Sequence, residues 1–177
     1  MMTDASLPTM ALSIRQPWAY ALLHMGKGIE NRERADGKMP AICRHRGRLL
    51  LHASKMFHVA TVVDHFASAT ATMRASDFQS PGPVTLEQLR AKAGGIVGVA
   101  SAIAHVDPDG RCWLDPEGKE KDGELLDEMK TRAWHVPGSY GLVLADRREL
   151  PFTPWKGALG LFDVPDSVAG PLIARAA

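Results

Sequence analysis

The chain has only two cysteines, Cys43 and Cys112, and neither has a Cys-x-x-Cys partner. Two isolated thiols exclude a disulfide framework and a zinc-ribbon site, so both read as ordinary residues. No apolar run is long enough to cross a bilayer, and Met1–Pro8 lacks the basic and apolar regions of a signal peptide. A cytoplasmic protein with no membrane partner is therefore expected. Internal repeats and low-complexity tracts are also missing. Asp107-Pro108-Asp109-Gly110 lacks the third ligand of an EF-hand loop and has its glycine too early, so no metal and no cofactor are expected. What remains is ordinary globular composition, 45% hydrophobic and 23% charged over 177 residues, which suffices for one core and calls for no second domain.

The net charge of +1 hides an asymmetry. Lys27–Lys55 holds eight basic residues against three acidic ones, whereas Asp107–Lys130 holds nine acidic against four basic. The first segment is either a phosphate-attracting surface or a solvated loop; the second reads as an exposed, mobile insertion.

Periodicity places the elements. Ala11–Ile14 is a short strand, and Pro17 suits a first helical turn. Trp18, Ala21, Leu22 and Met25 then form one helical face, which Gly26 ends. Lys27–Arg32 reads as a strand whose period of two sets Glu30 and Arg32 on one face and Ile29 and Asn31 on the other. A third strand runs from Arg48 to Ser54, and a helix over 57–77 carries Val59, Val62, Val63, Phe66 and Met73 as a core stripe. Ser80–Pro83 is a turn, and Thr85 with Gln88 makes a capping box for a helix through Ala93. Ile96–Val106, Tyr140–Ala145 and Ala158–Val164 are strands, and Glu124–Arg132 is a helix. Pro165–Ala177 reads as a tail or a dimer contact.

Gly26, Lys27, Glu30 and Arg32 form a Gly/Lys turn followed by a Glu-x-Arg strand. With Arg46–Lys55, Gly95–Val99, Tyr140–Leu144 and Lys156–Phe162 in the same order, the chain resembles the ASCH family, a branch of the PUA-like β-barrels. The resemblance spans residues 11–164 in blocks. It implies an α+β fold: a small, partly closed, PUA-like mixed β-barrel with helices over its openings. That unit would be one domain, 1–177, with insertions at 57–93 and 107–130.

The resemblance also implies a central cleft that takes a nucleotide or flipped base. Its lining, carried over by position, is Arg15, Gln16, Trp18, Lys27, Glu30, Asn31, Arg32, His52 and Ser54, with Trp134, Ser139 and Tyr140 from later strands. Trp18 and Trp134 can stack a base, though Trp18 on an apolar helix face also suits a core, which leaves Trp134 the better stacking candidate. Arg15 and Arg32 can grip a phosphate, or Arg32 can simply pair with Glu30. His52 is an acid–base candidate or a hydrogen-bonded strand histidine.

Lys27 and Glu30 are either a proton-handling pair or a salt bridge across a turn. Small members of the family that resemble acetylcytidine amidohydrolases carry a threonine three places after this lysine. Glu30 stands there, so that nucleophile is absent.

Two functions of different class follow. One is a module that binds RNA, single-stranded nucleic acid, a nucleotide or a modified nucleobase; the other is a hydrolase of the ribonuclease type acting through Lys27, Glu30 and His52. A protein-binding regulator is the third.

Overall fold

The computed structural model describes residues 9–176, so Met1–Pro8, the segment that lacks the regions of a signal peptide, lie outside the described residues. Seven strands and five helices make a mixed α+β fold. The strands are β1 (Thr9–Ile14), β2 (Ile29–Arg32), β3 (Gly47–Ala53), β4 (Gly95–Val106), β5 (Cys112–Trp113), β6 (Tyr140–Pro154) and β7 (Leu161–Val164). The helices are α1 (Trp18–His24), α2 (Val59–Ala75), α3 (Leu86–Ala91), α4 (Leu125–Glu128) and α5 (Asp166–Ala176).

The sheet order is β2-β6-β4-β3-β1-β7, with β5 paired to β4. Among the described residues, only β1 and β3 pair in parallel. The β4–β6 ladder is the spine, and register shifts at three places bend it. In a flat sheet, β2 and β1 would lie four strand spacings apart, about 19 Å. Instead Arg32 Nη2 donates to the carbonyl of Ser13 at 2.7 Å. The sheet is therefore strongly curled, but no ladder joins its end strands among the described residues, so a closed barrel is not what the pairing shows.

Alternation along the strands feeds two faces. Leu12, Ile14, Leu49, Leu51, Leu142 and Leu144 fill the inner core, while Ala11, Leu50, Ile96, Val99 and Leu150 face the other way. That second face is covered by α5 through Ala169 and Leu172. Asp166–Ala176 is thus a helix docked on the sheet and not a loose tail. It was hidden by Gly170-Pro171, a breaker pair whose cost is overridden by burial.

Other elements shift for similar reasons. β6 continues past Ala145 through the charged run Asp146–Glu149 because Arg147 satisfies the carbonyls of Leu22 and Leu144, and Leu150 returns to the core. Pro17 is the N-cap of α1, not its first residue. Val62 and Met73 of α2 are buried, yet Val59 and Val63 are 44% and 48% exposed, so only part of the expected stripe is core. The Thr85–Gln88 capping box forms as read.

The acidic segment also differs from expectation. Cys112 and Leu126 are buried in the core beneath α1 and α2, and Trp113 Nε1 donates to Asp107 at 3.0 Å. Arg46 of the basic segment donates to the carbonyls of Trp113 and Leu114, so the two oppositely charged segments are joined directly.

Leu172 is 6% exposed against the outer face. Leu172→Ala is expected to cost about 2–5 kcal/mol in urea denaturation; an unchanged midpoint would mean that α5 does not cover the sheet in solution.

Candidate functional site

The turn from α1 into β2 builds the site. Gly26 has φ +74°, and a Cβ there would meet the ring of Phe78 at 2.5 Å. Gly28 leaves room for Thr131, whose Oγ1 accepts its N–H at 2.7 Å, so the end of the acidic segment closes over the turn. Lys27 is consequently only 3% exposed. Its ammonium donates to the carbonyl of Ile29 and to Glu30 Oε2, the latter at 2.8 Å. Burial pulls the Lys27 pKa below its ordinary value, with Glu30 opposing that shift.

Glu30 Oε1 lies 3.2 Å from Arg32 Nη2, the same nitrogen that holds Ser13. One carboxylate thus serves two cations. Unpartnered polar nitrogens gather here too: four buried side-chain nitrogens lack a partner among the described residues, and three of them belong to Arg32, Trp134 and His65. His65 packs on Trp18, with ring centroids 5.2 Å apart.

A cleft of about 380 Å³ opens over Lys27 and Glu30, walled by Trp18, Asn31, Trp134 and Val136. Trp18 is half-buried, and the Lys27 ammonium sits 5.7 Å from its ring centroid. Trp134 is 4% exposed and belongs to the core beneath α1 and α2, so Trp18, not Trp134, presents the more open ring. Asn31 spends both ends of its amide on the 134–136 backbone, donating to the Trp134 carbonyl and accepting from the Val136 N–H. It shapes the wall.

Five of the twelve candidate residues therefore meet in one cleft: Trp18, Lys27, Glu30, Asn31 and Trp134. Arg32 adjoins them through Glu30.

Comparison with known proteins adds little to this geometry. No family model matches the chain, and no curated protein does. The chain is similar to ASCH proteins of known structure. Two crystal structures of mutant ZmASCH from Zymomonas mobilis resemble it. One is 13% identical, covering 96% of this chain and 99% of that one at a TM-score of 0.46; the other is 12% identical, covering 95% and 98% at 0.45. A likeness at such scores carries no argument about ligand or activity, which leaves the site's own chemistry to decide.

The remaining candidates lie elsewhere. His52 and Ser54 line a second, larger cleft with Ser13, Lys55 and Lys156. Gln16 is buried, accepts the Tyr20 N–H and borders a third cleft. Arg15 is exposed and borders none of these. Ser139 donates to the Val136 carbonyl within a turn, and Tyr140 packs on the inner core. In the basic segment, Arg34 pairs with Asp36 and Arg46 is spent internally, leaving Lys38, Arg44, Arg48 and Lys55 exposed. Sequence reasoning missed Ser13, His65 and Thr131. Only the parallel β1–β3 register, the α1–α2 contact and the Gly28 approach bring them in.

Among the described residues, no group of three or more His, Cys, Asp or Glu side chains is placed to hold a metal ion, and no helix is long and apolar enough to cross a membrane.

Removing one partner of a buried ion pair strands the other charge. Glu30→Leu is expected to cost about 3–5 kcal/mol, because Lys27 and Arg32 both lose the carboxylate they share; Lys27→Met should cost clearly less, since Arg32 still holds Glu30. Equal losses in urea denaturation would show that Arg32 does not carry that charge. Burial also lowers the pKa values of His45, His52 and His105 below the usual 6.5. The unfolded chain therefore binds protons first as the pH falls below that value, so stability should be full above it and decline beneath it. Urea midpoints measured from about pH 7.5 to about pH 5 check this, and a flat profile would count against neutral imidazoles in the fold.

Proposed function

We propose that the protein binds RNA by seating one unstacked base in the cleft lined by the Trp18 ring and the Lys27–Glu30 pair. The observation that supports this most directly is a half-buried indole beside a buried ion pair in a 380 Å³ cleft. That volume falls in the range of about 300–1,000 Å³ common for small-ligand sites. An aromatic face offers stacking to any base. Glu30 is an acceptor for a base N–H, and the third ammonium proton of Lys27, beyond those given to Ile29 and Glu30, is a donor for a base carbonyl. The exposed Lys38, Arg44 and Arg48 are available for phosphate contacts that carry no sequence information.

Titration of the protein with short single-stranded RNA, followed by tryptophan fluorescence and by a labelled-RNA shift, tests the reading. Trp18→Ala should weaken binding about 5- to 150-fold, the equivalent of 1–3 kcal/mol of stacking. Unchanged affinity in a folded Trp18→Ala variant overturns it. A parallel time course with end-labelled RNA, with and without a chelator, separates binding from turnover: cleavage lost in Lys27→Ala would replace a reader with a nuclease centred on this pair.

A further inference from the structure

Ser13 and His52 face each other in the parallel β1–β3 register, with Ser13 Oγ 3.3 Å from His52 Nδ1. The other ring nitrogen, Nε2, lies 3.0 Å from the carbonyl of Trp155. A carbonyl only accepts, so Nε2 carries the proton, Nδ1 presents its lone pair, and the Ser13 hydroxyl donates to it. The ring is held in that orientation from several sides. Phe162 meets it edge-on at 5.4 Å, and Gly157 passes so close that a Cβ there would strike the imidazole. Ser13 is held as well: its N–H donates to the Gly160 carbonyl at 3.0 Å, and its own carbonyl takes Arg32.

The pair borders the second cleft, about 810 Å³, together with Lys55, Lys156 and the 95%-exposed Leu159. Ser13 is half-buried at its wall, while His52 is 2% exposed behind it. A hydroxyl at the edge of an open cleft, backed by an oriented neutral imidazole, is the arrangement a serine nucleophile needs. Lys55 and Lys156 line the same cleft and add positive charge there, which favours substrates with an anionic group.

We propose that Ser13 and His52 are a nucleophile–base pair that cleaves carboxylic esters bearing an anionic group in this second cleft. Ser13 Oγ attacks the ester carbonyl carbon and forms a C–O bond while its proton passes to His52 Nδ1. The bond to the leaving alcohol then breaks, and that alcohol takes the proton from Nδ1. Water repeats the two steps on the acyl-serine and releases the carboxylate. The proposal stands independently of RNA binding in the first cleft.

A fluorophosphonate probe tests it on the intact protein. Attack by Ser13 would form a P–O bond and expel fluoride, with His52 taking the hydroxyl proton. The expected result is one adduct per chain, mapped by peptide mass spectrometry to Ser13. His52→Gln should slow labelling by about 10²–10⁴-fold, the usual contribution of a positioned base. Folding of that variant is checked by circular dichroism, and mapping the wild-type adduct needs no variant. No adduct on the folded wild-type protein, or an adduct at another serine, overturns the proposal, because a purely structural Ser13–His52 hydrogen bond predicts no reactivity.

Discussion

The guanidinium of Arg32 is the contact on which this architecture turns. A single nitrogen reaches both the Glu30 carboxylate and the Ser13 carbonyl. The first contact lets one buried carboxylate be shared by two cations, which keeps Lys27 charge-compensated where water is excluded. The second ties β2, at one end of the strand order, to β1 near the other end. Side-chain bonding at this seam does part of what a ladder would do in a closed barrel. The same atom also stands between the two clefts, since Glu30 borders one and Ser13 the other.

Around this seam the glycines set the distances. Gly26 allows the left-handed turn that brings Lys27 inward, and Gly28 allows Thr131 to close from the far side. The charged segments that look separate along the chain serve the same enclosure. Arg46 binds carbonyls of the acidic stretch, and Leu126 anchors that stretch in the core beside Trp134. Much of the positive charge between residues 27 and 55 is therefore structural, and the part left for a phosphate backbone is smaller than a count of residues implies.

The site carries a cost that the hydrophobic interior does not. Among the described residues, Arg32, Trp134 and His65 each have a buried nitrogen without a protein partner, and a buried polar group left unpaired costs about 1–3 kcal/mol.

Local spacing determined a good deal by itself. The three-and-four periodicity of α1, the Gly26 stop, the Glu30/Arg32 alternation and the Thr85–Gln88 capping box depend on neighbours a few residues away, so they are legible in the chain. Five residues of the first cleft, four of them within residues 18–31, were candidates through the family resemblance and not through spacing alone. Tertiary structure alone decided the rest. Trp134 is a core ring instead of the more open one because the acidic segment folds inward, and α5 forms across Gly170-Pro171 because the sheet's outer face needs cover. His52 and Ser54 part from Lys27 because β3 pairs with β1 and β4, not with β2. Such outcomes rest on contacts between residues dozens of positions apart, and the free energy of burying apolar surface there outweighs local preference.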